Sequence, residues 1–259
     1  DDDLVVGWSV YEDDGNNNYV LKYTIPGKLI LTDSSENKTG DVVSLVLEAG
    51  TLDISDAYVP NLECESDGTV TANGNIRGDS NNNDIYWSIS GTLNIKDVTV
   101  GYANLYSEDG GSIIIEGGTF GVTYFFTYGG SFAISGGTFA EVVSCGKNNN
   151  DKTPLMNLLA KGYAFWSVGK DEAVDASGTT LEDKNVEVRA HTHHIESNGK
   201  CRCGVEAVVI DSKGDIYGTL QSALNAATKD SSIKWVQLGQ DVTEEVTFNG
   251  GEASVTLDM

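Results

Sequence analysis

Hydrophobic and polar residues alternate along the first half of this chain in short segments that each begin on a glycine. GTLDISDAYV from Gly50 returns as GTLNIKDVTV from Gly91, as GSIIIEGGTF from Gly111 and as GSFAISGGTF from Gly130. A weaker copy, GTVTANGNIR, starts at Gly68, and GKLILTDSSE at Gly27 fits as a first one. In each copy apolar side chains fall two and four residues after the glycine and again near the ninth, the spacing of strands with one buried face. The glycines are 23, 18, 23, 20 and 19 residues apart, the uneven intervals of stacked coils that tolerate loop insertions.

Stacked in register, Leu52, Leu93, Ile113 and Phe132 make one internal row and Ile54, Ile95, Ile115 and Ile134 the next. Val59, Val100, Phe120 and Phe139 make a third across a bend. No single coil can bury its own apolar face, so the rows exist only by stacking. Gly117-Gly118 and Gly136-Gly137 sit between rows, where the chain turns a corner with little room for a Cβ. An antiparallel β-sandwich also alternates and turns often, but it gives no reason for one residue type to recur at one offset. The expected fold is mainly β, a right-handed parallel β-helix (β-solenoid) with short capping helices and a small C-terminal α+β segment.

After Phe139 the pattern breaks. TPLMNLLAKG predicts a short helix over the open end of the solenoid, with Thr153 as N-cap, Pro154 at the first helical position, Leu155, Leu158 and Leu159 on one face, and Gly162 as stop. GYAFWSVGKD and NVEVRA read as strands. In the last stretch Leu220, Ala223, Leu224 and Ala227 repeat at helical spacing behind a capping Thr219, and KWVQL, EVTF and SVTL follow as strands. The division expected is 1–150 for the β-helix, 151–204 for a capping helix and a His/Cys junction, and 205–259 for a helix cap and the first strands of a following module. A small α+β appendage complete in itself is the alternative for the last part.

Between those parts lies HTHHIESNGKCRCG, where His191, His193, Cys201 and Cys203 offer two imidazoles and two thiolates to a tetrahedral Zn²⁺. Only Arg202 separates the two cysteines, whereas zinc knuckles place two residues there. A structural zinc, a surface loop with free thiols and a Cys201–Cys203 disulfide all remain open. Four cysteines in 259 residues, two of them nearly adjacent, do not make a disulfide framework.

Composition narrows the partners. A net charge of -23 repels phosphate backbones and anionic lipid, which excludes nucleic acid. No segment is apolar enough to span a bilayer, and the chain opens on Asp1-Asp2-Asp3 without a secretory signal. We therefore expect a piece of a larger protein whose export and anchoring elements lie elsewhere. Two Asn/Asp-rich loops, Asp13 to Asn18 and Asp79 to Asp84, carry oxygen ligands suited to calcium and are equally ordinary turn formers.

The GGTF coils, LLAKGYAF, HTHH…CRCG and TLQSALNAA…VQLGQDVTEEVTF together resemble β-helix repeat modules of large, cell-wall-anchored surface proteins of Gram-positive gut Firmicutes. In that family the Cys element runs C-T-H…C-x-x-C-G; His191 stands at the first Cys and the second pair is one residue short. The resemblance implies an adhesin-like, extracellular, cell-wall-anchored protein that binds host protein such as immunoglobulin, or mucin and other glycans, beside neighbouring modules of the same parent. The residues expected to meet that ligand are Tyr102, Tyr106, Tyr124, Phe126 and Tyr128, which follow the glycine motifs in successive turns. A polysaccharide lyase or glycoside hydrolase is the competing reading, with Asp97, Glu108, Asp109 and Glu116 near the coils; the scarcity of bases beyond Arg77 and Lys96 disfavours a uronate polymer. A stalk that only holds other modules away from the cell wall is the third.

Overall fold

The computed structural model describes residues 45–78, 84–148, 151–196, 200–240, 242–243, 245–248 and 255–257 in full; Ser44, Asp258 and the strands Leu4–Val6, Glu12–Asp13, Tyr19–Val20 and Lys28–Thr32 are described by backbone alone. The chain is mainly β and forms a parallel β-solenoid. Strands Lys28–Thr32, Ser44–Ser55, Asn61–Asn75, Thr92–Ser107, Gly118–Thr127 and Thr138–Gly146 carry the stack, with Asp84–Ile89, Ser112–Ile115 and Ser131–Ile134 completing the coils. Leu4–Val6 pairs in parallel with Leu29–Leu31, so the stack begins earlier than the glycine repeat indicates.

Each coil has three sides; in the one that follows Gly91 they are 92–95, 98–100 and 102–107. On the first side Leu52, Val70, Leu93, Ile113 and Phe132 stand in register, and Ile54, Ala72, Ile95, Ile115 and Ile134 form the neighbouring row. Both rows are buried. Across the corner Val100, Phe120 and Phe139 follow one another, the two rings stacked at 4.7 Å with planes 11° apart.

Val59 does not join that row. Asp56, at φ +48°, turns the chain two residues early, and Tyr58 bridges to Arg77. Ala57 therefore stands at the position beside Ile76, while the buried Val59 offers its carbonyl to the Trp87 indole N–H at 2.9 Å. The third side buries Leu45, Leu62, Trp87, Leu105 and Phe125 in one register row. Like-on-like burial between coils removes apolar area that each coil alone would leave in water.

Gly91, Gly111 and Gly130 sit where successive coils pass close together. A Cβ on Gly111 would lie 2.0 Å from the Ile89 carbonyl oxygen, so only hydrogen fits. Gly137 serves the next corner differently, holding φ at +102° in the left-handed region that favours glycine.

The expected helix after the solenoid is a single 3-10 turn, Leu155–Leu158. Thr153 does not cap it; its hydroxyl meets Thr127 Oγ1 at 3.3 Å. The backbone N–H groups of Leu155 and Met156 donate instead to the Gly178 and Ala176 carbonyls, and Leu159 runs extended to bridge Ile134. The Ala160 N–H donates to the Ile134 carbonyl at 2.9 Å, so the open sheet edge takes up backbone beyond the turn. Strands Tyr163–Ser167 and Val186–Ala190 pair antiparallel, and Val186 also pairs antiparallel with Phe139. Leu155, Leu158, Phe165, Leu181 and Val186 thus join the solenoid core and close its end.

Beyond the junction, helix Leu220–Lys229 starts at Thr219, whose hydroxyl accepts the Ser222 N–H at 3.1 Å. Its buried face of Leu220, Ala223, Leu224 and Ala227 packs with Val209, Ile233 and Val236. Trp235–Leu238 pairs antiparallel with Val209–Asp211 and parallel with Thr256–Asp258. Trp235 is in register with Thr256, a spacing within the range of the solenoid coils. Residues 245–248, read from the sequence as a strand, carry no strand pairing.

Candidate functional site

Two groups of side chains stand apart from the core. The first lies on the outer surface of the coils' third side. In Gly118–Thr127 the alternation buries Thr123 and Phe125 and leaves Val122, Tyr124 and Phe126 outward. Parallel register then brings Tyr102 beside Val122 and Tyr106 beside Phe126 in the next coil. The rings meet: Tyr106 and Phe126 stack at 4.2 Å with planes 8° apart, Tyr102 and Tyr124 approach to 5.4 Å, and Tyr128 meets both Phe126 and Tyr106 edge-on at 5.9 and 5.8 Å. All five residues expected from the sequence are partly exposed and form one continuous patch.

A sixth ring, Tyr86, extends the patch by one coil and is 44% exposed. Its signal was present in DIYWSI, where Ile85, Trp87 and Ile89 face inward and alternation sends Tyr86 out. Asn104 occupies the register position between Tyr86 and Tyr124. It is buried, with its amide directed to the Ile85 carbonyl at 3.4 Å, so it forms a polar floor among the rings.

Burial raises the Tyr102 phenol above its ordinary range, and the hydrogen bond with Tyr124 adds to this. Tyr106 is raised the same way, burial first and then Tyr128. Both phenols therefore stay neutral donors at physiological pH. Lys147 sits 5.7 Å from the Tyr128 ring centroid, and register sets Asp84 and Glu141 at the opposite margin. The patch is a flat aromatic surface with hydroxyls at its edge and mixed charge around it.

The second group lies at the end of the solenoid. His191 and His193 follow strand Val186–Ala190, and Cys201 and Cys203 stand on the facing arm of a turn that the Ile195–Cys201 bridge closes. His191 Nε2 lies 3.1 Å from Cys201 Sγ, and His193 Nδ1 lies 3.4 Å from Cys203 Sγ. One donor atom from each of the four residues falls within 4.8 Å of all the others. Both thiols are buried and neither is in a disulfide. The neighbouring Cys203 sulfur, with His191 and His193, holds the Cys201 thiol below its ordinary range, and the same proximity, with burial, pushes Cys203 up.

Two of the four carboxylates near the coils, Glu108 and Glu116, have other partners. Glu116 pairs with Lys96 at 2.7 Å, and Glu108 accepts from the Ser88 hydroxyl at 3.2 Å. Of the two Asn/Asp-rich loops suited to calcium, Asp13 to Asn18 and Asp79 to Asp84, residues 14–18 and 79–83 lie outside the described residues. Among the described residues no helix is long and apolar enough to cross a membrane. Set against known proteins, the chain matches no family model, no curated protein and no solved structure.

Proposed function

We propose that this chain is an extracellular binding module of a large bacterial surface protein, attached to the cell wall through other parts of its parent, and that it captures host material on the aromatic side of its coils. The observation that carries this reading is the ring ladder of Tyr86, Tyr102, Tyr106, Tyr124, Phe126 and Tyr128 on a rigid parallel sheet. A chain gains no stability by leaving five contiguous rings, with Tyr86 one strand beyond them, partly in water, because burying them would stabilise it. Parallel strands about 4.8 Å apart hold the rings before any ligand arrives, so little side-chain freedom is lost on binding. Aromatic planes with phenol hydroxyls at their rim suit the apolar faces of sugar rings and the side chains of a protein partner alike.

Charge sets the ligand's sign. At a net -23 the chain favours neutral or cationic partners and disfavours sialylated or uronate-rich polymers. The motif resemblance supports immunoglobulin or neutral mucin glycan as the host material. The test is a pull-down with the purified chain against immunoglobulins and mucin, with a glycan array in parallel. Retention of one of these by the wild type, lost in Tyr124→Ser/Tyr128→Ser, supports the reading. Retention of none points to a stalk.

A further inference from the structure

We infer that His191, His193, Cys201 and Cys203 form a closed, tetrahedral zinc centre of structural type, which ties the C-terminal α+β unit to the capped end of the solenoid. Spacing is the first sign. Each pair is separated by a single residue, Thr192 or Arg202, that is exposed while its neighbours are partly or fully buried. One-residue spacing in a non-helical segment sends both flanking side chains to one side, so each segment presents a two-donor edge. The fold then sets the two edges face to face, with contacts of 3.1 and 3.4 Å between opposing nitrogen and sulfur atoms.

A tetrahedron built on Zn–N and Zn–S bonds of about 2.0 and 2.3 Å has edges of roughly 3.3–3.8 Å. The four donors, none more than 4.8 Å from another, already approximate it. Two thiolates and two imidazoles with no carboxylate select zinc over magnesium, calcium or manganese. Four protein ligands leave no open position for water, which makes the centre structural rather than catalytic.

The surroundings say why a metal is needed there. The apolar cluster around the donors consists of Ala164, Ala173, Ile195, Ala207 and Ile210 besides the two cysteines, with Trp166, Val205 and Trp235 packed at its edge. Three of those five are alanines, too little apolar surface to hold two units together unaided. Ile210 belongs to the C-terminal sheet and Ala164 to the capping sheet, so the cluster bridges both. Beside it the Ala176 backbone N–H donates to the Cys203 carbonyl at 3.0 Å, and Lys161 meets Asp215 at 2.6 Å, both of those charged groups at least partly exposed. Metal ligation adds the cohesion that the cluster lacks.

The experiment uses the whole chain, purified with zinc and exchanged into metal-free buffer. Elemental analysis is expected to find about one zinc per chain, against less than about a tenth of that in Cys201→Ser/Cys203→Ser and full retention in Cys145→Ser. Cobalt in place of zinc is expected to give the intense visible bands of a tetrahedral site and a sulfur-to-metal charge-transfer band. Two further measurements on the wild type do not depend on a variant folding. Cys201 and Cys203 should resist alkylation until a chelator is added, and the chelator should accelerate amide exchange in Val209–Asp211 while leaving Thr92–Ser107 unchanged. A wild-type chain that retains no zinc, or a mass showing a Cys201–Cys203 disulfide, would overturn the centre; unaltered exchange in Val209–Asp211 would overturn its role as a tie.

Discussion

Phe126 lies flat against Tyr106 of the preceding coil, 4.2 Å between centroids and 8° between planes, with both rings on the outside of the solenoid. Neither ring fills the core, so the pair can be removed without opening a cavity in it. Stacked aromatic pairs contribute about 0.5–1.5 kcal/mol beyond their buried area. A double-mutant cycle with Tyr106→Ser and Phe126→Ser should return a coupling of about 1 kcal/mol by denaturant unfolding. The double variant should remain folded by circular dichroism and lose ligand capture. Capture at wild-type strength would remove these rings from the binding surface.

The coil contact at Gly111 makes a sharper prediction about stability. Gly111→Ala drives a Cβ to 2.0 Å from the Ile89 carbonyl oxygen, a backbone atom that cannot swing aside. The cost expected is about 3 kcal/mol. At Gly110, where φ is +80° and nothing lies within 4 Å of the added Cβ, alanine should cost only about 1 kcal/mol of backbone strain. Equal costs in thermal or urea unfolding would refute the close-approach account of the repeat glycines.

Cys64 predicts a loss of stability in alkali. Burial pushes its thiol up to about 11 from an ordinary 9.0. A folded-state value above the unfolded one means that the neutral thiol stabilises the fold fully below about pH 9, and that this is lost as pH rises towards 11. Tyrosines raised in the fold act in the same direction, but they are common to both proteins when wild type is compared with Cys64→Ala. The stability difference between the two should therefore shrink above pH 9. A difference constant from pH 7 to 11 would show that Cys64 does not ionise against the fold.

In the C-terminal unit Asp211 is fully buried and accepts from three donors. The Lys213 and Asp215 backbone N–H groups reach Oδ1 at 2.8 and 3.0 Å, and the Tyr217 hydroxyl reaches Oδ2 at 2.7 Å. Asp211→Ala leaves these donors without their acceptor and should cost about 3 kcal/mol. Tyr217→Phe, which removes one donor and keeps the ring, should cost about 1 kcal/mol. Hydrogen exchange is the readout, with the effect confined to the C-terminal sheet.

Lys213 and Asp230 predict the acid side. Hydrogen bonds from Lys213 and then Ser232 hold the Asp230 carboxyl well below its ordinary range. A depressed folded value contributes stability above the unfolded value near 3.8 and loses it as pH falls further. Both partners are exposed, so the effect is small and salt should screen it. Lys213→Gln should weaken the acid dependence of the C-terminal unit at low salt and change nothing at high salt.

How much of this was legible along the chain differed from side to side. The first side of each coil announces itself because Leu93, Ile113 and Phe132 are inward and their outward neighbours are mostly polar or small. The third side is harder to read. Segments such as TYFFT and DIYWSI carry aromatic residues both inward, as Trp87 and Phe125, and outward, as Tyr86 and Phe126, so hydrophobicity alone does not separate the faces. Val59 was misplaced for a related reason: a corner shortened at Asp56 leaves the alternation intact and shifts only the register.

Local pattern by itself determined the stacked coils, their internal rows, the helix behind Thr219 and the paired spacing of histidines and cysteines, because each depends on side-chain periodicity within a few residues. Tertiary structure alone decided that TPLMNLLAKG gives up its helix after one 3-10 turn, since the exposed edge at Ile134 offers Leu159 a bridge that no local propensity records. It alone brought His191 to Cys201 across ten residues, and it alone assembled six rings from three coils into one surface. These are long-range juxtapositions, set by the register of strands about twenty residues apart, and register is a property of the stack rather than of any one coil.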